Sequence, residues 1–233
     1  MEITQIAVIH TDLPQKFGIP RQAGLVPELT GRIEFLPKFR DPSAVRGLEG
    51  FSHIWLLWEF FGKREWSPTV RPPRLGGEKR VGVFATRSPN RPNRIGLSSV
   101  RLLSVNPDGP NGPELLVAGP DLLDGTRIYD IKPYLPYTDC HPEATGGFTD
   151  EIDSSLLEVE IPPELLAKIE PGNRVAVQQL LALDPRGAYE KKPGYVYGMR
   201  YGRQDIRFRE QDGHLVVTDV IDVTEQNKEE HCK

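Results

Sequence analysis

Short runs of apolar or alternating residues, separated by strong turn signals, constrain the fold of the first 150 residues more than any other feature. The runs are ITQIAVIHT (3–11), TGRIEFLP (30–37), SHIWLLWEFF (52–61), RVGVFAT (80–86), GLSSVRLLSV (96–105) and PELLVAGPDLL (113–123). A period of two places successive side chains on opposite faces of a strand. PDGPNGP at 107–113 joins two of these runs as a hairpin or loop. Strands at this spacing predict a barrel or sandwich rather than βαβ units. One helix is expected at 42–49, with Asp41 as N-cap, Pro42 at its first position and Gly50 as its stop.

The pattern changes after GGFTDEIDSS (146–155), an acidic, glycine-bearing stretch that reads as a linker. PPELLAKI and NRVAVQQLLAL beyond it predict two short helices, the second capped by Asn173 and stopped by Pro185. VYGMRYGRQDIRFREQDGHLVVTDVIDV then alternates around the turn QDG. The expected organisation is a β-rich domain at 1–152 and a smaller α+β domain at 153–233, with a frayed end at TEQNKEEHCK.

A net charge of −4 conceals an uneven distribution. Residues 1–101 carry 16 Lys/Arg against 9 Asp/Glu, and residues 102–233 carry 13 against 24. Between 63 and 101, ten basic residues face two acidic ones, a density suited either to nucleic acid or to a solvated basic face. Several function classes lose support. There is no phosphate loop, dinucleotide fingerprint or G-x-S-x-G nucleophile turn. The five histidines have no metal-ligand spacing, and Cys140 and Cys232 build neither a disulfide framework nor a zinc site. No run reaches the roughly 18 apolar residues of a membrane span, and MEITQIAVIHT lacks a basic leader. A soluble cytoplasmic protein without a metal is expected.

Three polar segments stand apart. FGIPRQAGL (17–25) presents Arg21 and Gln22 between apolar anchors. FATRSPNRPNRIGLSSV (84–100) carries Arg87, Arg91 and Arg94 in a stretch that Pro89 and Pro92 stiffen, so its side chains are positioned at low entropic cost. DLLDGTRIYDIKPYLPY (121–137) alternates Asp121, Asp124, Asp130, Lys132 and Tyr134 with apolar residues. Arginines there can pair with phosphates or carboxylates, and the asparagines both donate and accept.

VRGLEGFSHIWLLWEF, TVRPPRLGG, VGVFATRSPNRPNRIGLS and DLLDGTRIYDIKPYLPY closely resemble the TsaA-like family, and the resemblance extends into LALDPRGAY and YGMRYGRQDIRF near the C-terminus. The resemblance implies an N-terminal β-barrel unlike the Rossmann-type methyltransferases, with S-adenosyl-L-methionine held near a homodimer interface. It implies methylation of N6 of threonylcarbamoyladenosine at position 37, beside the anticodon of threonine tRNA. Cofactor contacts would come from Pro20, Arg21, Gln22, Phe61, Gly62, Arg87, Leu97, Asp121, Leu122, Leu123 and Asp124. The family more often has a bulky residue where Asn90 stands and a proline where Arg94 stands.

In-line transfer of a methyl group to nitrogen depends largely on positioning and needs no metal. Arg87 would address the cofactor carboxylate, and Leu97 and Leu122 would flank its adenine. Asn93, Asp130 and Tyr134 are candidates for handling the acceptor nitrogen and its proton. Arg91, Arg94 and Lys132 would meet the anticodon loop of tRNA. In the C-terminal part, Lys191, Lys192, Arg200, Arg203, Arg207 and Arg209 either add tRNA contacts or form a solvated sheet face. Two other readings stay open: a non-catalytic RNA-binding module, and a barrel that methylates another RNA or a small molecule.

Overall fold

Six antiparallel strands close into a barrel in the order β1-β2-β7-β6-β3-β8. The computed structural model describes residues 2–62, 65–72, 79–152, 155–187, 192 and 194–223. The barrel strands are β1 (Ala7–Thr11), β2 (Thr30–Phe35), β3 (His53–Glu59), β6 (Ile95–Asn106), β7 (Glu114–Ala118) and β8 (Thr126–Pro133). Alternation works as the sequence implied: Ile54, Leu56 and Trp58 of β3 point inward and are buried, as are Val100 and Leu102 of β6. PDGPNGP does link paired strands, with Asn106 opposite Glu114. A two-stranded ribbon of β4 (Thr69–Val70) and β5 (Val81–Gly82) stands outside the barrel.

The chain clusters into two compact units that do not follow a single cut. The first holds Met1–His10, Arg32–Ala118 and Gly125–Ser154; the second holds Thr11–Gly31, Gly119–Asp124 and the chain from Ser155 on. Two segments placed by sequence in the 1–152 domain thus pack with the C-terminal part. Leu13, Val26 and Leu29 share one core with Val177, Leu180, Tyr197, Met199 and Phe208. Gly18 is required there: its φ is +92°, and a Cβ would lie 2.6 Å from Met199.

The second unit contains a sheet ordered β10-β11-β12-β9, from Tyr197–Tyr201, Gln204–Gln211, His214–Asp222 and Val159–Glu160. The QDG turn is a two-residue hairpin in which Asp212 and Gly213 both take positive φ, as a type I′ turn demands. The two expected helices are α2 (Pro163–Leu166) and α3 (Arg174–Ala182), although the Asn173 side chain makes no capping bond.

The helix expected at 42–49 is replaced by two 3-10 turns, Pro42–Val45 and Leu48–Gly50. Asp41 does cap the first, accepting from Ser43 N at 2.8 Å. Gly47 then takes φ +86°, which ends any continuous helix. RVGVFAT is strand only at Val81–Gly82, and Val83–Ala85 tightens into a 3-10 turn. A four-residue helix α1 (Pro136–Asp139) follows β8, and the stretch read as a linker contains a 3-10 turn at Gly147–Glu151.

Candidate cofactor and nucleic-acid site

The loop at 84–94 owes its shape to hydroxyls and one arginine as much as to its prolines. Val83 N donates to Pro68 O, and Val83 O accepts from Thr86 N, Thr86 Oγ1 and Arg91 Nη1. Thr86 Oγ1 takes Ser88 N at 3.2 Å, and Ser88 Oγ takes Asn90 N at 3.2 Å, so successive side chains close successive turns. Asn90 O accepts from Ser67 N, tying the loop to the start of the ribbon. Arg91 also donates to Thr86 O at 2.5 Å and lies 5.7 Å from the centre of the Phe84 ring. Its guanidinium is therefore part of the loop's internal frame. Arg87 and Asn93 are exposed on it.

Arg94 turns back toward the barrel. Its Nη2 lies 3.1 Å from Glu59 Oε1, while Tyr129 Oη donates to Glu59 Oε2 at 2.7 Å and Arg127 approaches that oxygen at 3.7 Å. Burial, then the bond to Glu59, pushes the Tyr129 phenol above its ordinary pKa. Glu59, Arg94 and Arg127 line a cleft of about 220 Å³ with Phe60, Phe61 and Gly62. One carboxylate and two guanidinium groups thus face an opening walled by two aromatic residues.

Register places the other candidates on the outer face of the barrel. Leu57 pairs with Leu97 on one side and Asp130 on the other; Trp55 pairs with Ser99 and Lys132. Leu97 is 47% exposed, an apolar side chain on an uncovered strand face. Asp130 is paired with Lys132 at 2.8 Å. Tyr134 packs against Trp55 and His53, and burial raises its pKa, with Cys140 and Asp139 adding to the effect. No hydrogen bond or ion pair joins Asn93, Asp130 and Tyr134 to one another among the described residues.

Asp139 anchors this edge by accepting from Leu135 N and Trp55 Nε1, each at 2.9 Å. The Leu135 bond first, then that of Trp55, holds its carboxyl below the ordinary value. A carboxyl whose folded pKa is depressed stabilises above its unfolded value, about 3.9, and loses that contribution as pH falls through the folded value. The urea midpoint of Asp139→Asn is expected to lie below that of the wild type at pH 7. The gap should close below about pH 4.

The second unit carries the remaining cofactor candidates. Arg21 Nη2 donates to Asp184 O at 3.1 Å, and Gln22 Nε2 to Arg21 O at 2.5 Å. Gly24 N donates to Gly119 O, and Gly119 N to Leu29 O, so the segments at 17–25 and 119–124 run together. Asp124 Oδ1 accepts from Thr11 N, and Leu122 O from Thr11 Oγ1. Pro20 is buried and Leu122 is only 1% exposed, so these two anchor the segments. Arg21, Gln22, Asp121, Leu123 and Asp124 reach the surface.

Comparison with known proteins accounts for both units. The tRNA-methyltransferase O N-terminal domain matches residues 8–140, and the TrmO C-terminal domain matches 153–223. The chain belongs to the TrmO family. The tRNA (adenine(37)-N6)-methyltransferase of Escherichia coli is 39% identical over 226 residues, covering 93% of this chain and 96% of that protein. A Pseudomonas aeruginosa relative, 41% identical over 88% of this chain and 91% of its own length, is provisionally named an S-adenosylmethionine-dependent methyltransferase. The crystal structure of TrmO from Pseudomonas aeruginosa superposes with a TM-score of 0.75 at 34% identity, covering 95% of this chain and 98% of that one.

Within the TrmO C-terminal domain, the basic residues singled out by sequence are partly matched by acids. Arg207 lies 3.3 Å from Asp205 and sits opposite Asp219, while Arg200 sits opposite Asp205. Lys191 lies outside the described residues, as do Lys63, Arg64 and Arg74 of the first basic segment. Among the described residues, no three His, Cys, Asp or Glu side chains gather where a metal could be held, and no helix is long and apolar enough to cross a membrane.

Sequence reasoning missed two clusters. Glu59, Arg127 and Tyr129 were invisible because a β-bulge creates the third: Leu57 pairs with Asp130 and Trp58 with Ile128, leaving Tyr129 as the extra residue. A lone carboxylate ending the apolar run HIWLLWE was the available signal. Arg186 was also missed. Its side chain, 3% exposed, holds Asp184 through Nε at 2.7 Å and Nη2 at 3.1 Å, and holds Glu210 through Nη1.

Proposed function

We propose that this protein transfers a methyl group from S-adenosylmethionine to N6 of adenine 37 in tRNA, and that the adenine is threonylcarbamoyladenosine of threonine tRNA. The observation that carries the reading is the full-length likeness to TrmO proteins through both domains. The residues suit the cofactor's chemistry. Beside Phe61 and Gly62, Glu59 offers a partner for an ammonium, and Arg94 and Arg127 offer partners for a carboxylate, matching the zwitterionic end of an amino acid. Leu97 supplies apolar surface for a flat ring. When bound, S-adenosylmethionine supplies an electrophilic methyl group on a sulfonium.

Arg87 in the barrel unit adds a further contact to it, and the protein works as a homodimer. Asn93 and Tyr134 orient the acceptor group, because an amide and a phenol of raised pKa both keep their protons near neutral pH. Asp130 is the carboxylate among the three candidates and is assigned to receive the proton. Exposed Lys79, Arg80 and Arg101 meet the phosphates of the anticodon loop, and affinity falls with salt accordingly. Lys132, Arg200 and Arg207 add weaker contacts, being already near acidic partners. The protein acts in the cytoplasm.

Arg87→Ala is expected to weaken S-adenosylmethionine binding about 10-fold in calorimetry, the effect of losing one charge-assisted hydrogen bond. Arg91→Ala should instead loosen the loop and weaken RNA binding, with cofactor affinity kept. Equal losses of both affinities in both variants would refute that division. The reading as a whole is tested by nucleoside mass spectrometry of tRNA from a strain lacking the gene. Loss of methylated threonylcarbamoyladenosine is expected; an unchanged level would overturn the proposed substrate.

A further inference from the structure

Phe84 is 73% exposed, although the residue before it is hydrogen-bonded through both its N–H and its carbonyl. It sits in the 3-10 turn Val83–Ala85, whose first residue is buried at 1% and whose carbonyl receives three donors. Such a frame fixes the backbone from which the ring projects. Full burial of a phenylalanine is worth roughly 1.5–3 kcal/mol, so covering this ring would reward a partner that fits it. Arg91 lies near the ring and is itself held by the carbonyls of Val83 and Thr86.

The surrounding charge says what kind of partner fits. From Lys79 to Arg94 the chain carries five basic residues and no carboxylate, and Lys79, Arg80 and Arg87 are exposed. An apolar flat surface beside an arginine, on a chain segment rich in cations, is complementary to a nucleobase attached to phosphates. A lipid surface would call for several adjacent apolar side chains, and a protein partner would have to answer an all-cationic surround. We infer that Phe84, fixed by the Arg91 frame, is the stacking platform for an unpaired base of the anticodon loop that flanks the methylated adenosine. This inference rests on the reading of the protein as a tRNA methyltransferase and assigns the ring a positioning role.

Phe84→Ala removes an exposed ring without opening the core, so the variant should fold. Its affinity for a synthetic anticodon stem-loop RNA, measured by fluorescence anisotropy, is expected to fall about 10-fold, within the range for losing one base–aromatic stack. KM for tRNA should rise in step, while kcat and S-adenosylmethionine affinity stay near the wild type. Phe84→Trp should restore RNA affinity, because stacking needs only a flat ring. Unchanged RNA affinity in Phe84→Ala would overturn the inference. So would a drop in mass by light scattering, which would make Phe84 a contact between copies of the chain. A wild-type protein that transfers no methyl group, yet loses RNA affinity on Phe84→Ala, would overturn the enzyme reading and support the platform.

Discussion

Arg186→Ala should destabilise the second unit by about 3 kcal/mol, the lower end of the cost of removing one partner from a buried ion pair. The guanidinium is buried and donates two hydrogen bonds to Asp184, and its third nitrogen serves Glu210. Hydrogen bonding to Asp184 is the leading reason its pKa stands above that of an ordinary arginine. Removing it leaves two carboxylates without their cation. Their side chains keep 15% and 41% exposure, so water recovers part of the loss, which is why the lower end applies. Asp184 also holds a positive φ of 52°, an arrangement this pairing helps to maintain. All three tryptophans lie in the barrel unit, so urea unfolding should be followed by circular dichroism and by tyrosine signals from Tyr197 and Tyr201. Arg186→Lys keeps the charge but loses the fork, and should recover only part of the stability. A loss below about 1 kcal/mol in Arg186→Ala would contradict a structural role for the pair.

Gly96→Ala should cost the barrel about 3 kcal/mol, the upper part of the range for overpacking a filled core. Gly96 pairs with Trp58 across β6 and β3, and a Cβ there would lie 2.3 Å from the indole Cε2. The indole has nowhere easy to go. Its Nε1 donates to Ser98 Oγ at 2.9 Å in the buried interior, and its ring meets Phe60 edge-on at 4.4 Å. Alanine would restrict the unfolded chain and return roughly 0.5–1 kcal/mol, which is too little to offset the clash. The expected observations are a lower Tm and red-shifted tryptophan emission as Trp58 leaves its site. Combining Gly96→Ala with Trp58→Leu should cost less than the sum of the two changes, since the second removes what the first strikes. Simple additivity would show that the clash relaxes elsewhere.

The parts of the fold legible in the sequence were those written locally. Strand alternation in HIWLLWE and the Asp-Gly turn at 212–213 each depend on neighbours within a few residues, and both appear in the structure. Membership of the second unit was not legible. Leu13, Val26 and Leu29 join its core through contacts with residues far along the chain, and their spacing matches neither a helix nor a strand. The helix expected at 42–49 is interrupted at Gly47, which adopts a left-handed conformation.

The arginine-rich loop shows the same division. Its stiffness could be read from Pro89 and Pro92, whereas the use of each arginine could not. Arg91 is taken up by two carbonyls within the loop, and Arg94 by a carboxylate 35 residues earlier in the chain. Only Arg87, of the three weighed as ligands, stands exposed at the surface. Phe84 opens the polar segment at 84–100, and its exposure follows from the 3-10 turn at Val83–Ala85.

Methyl transfer to one nitrogen of one nucleoside can be observed directly. Purified protein should be incubated with S-adenosylmethionine carrying a labelled methyl group and with threonine tRNA that bears threonylcarbamoyladenosine. Digestion and mass spectrometry should then find one labelled methyl on N6 of the nucleoside at position 37. Label on another nucleoside, or no label under conditions where both substrates bind, would contradict the account.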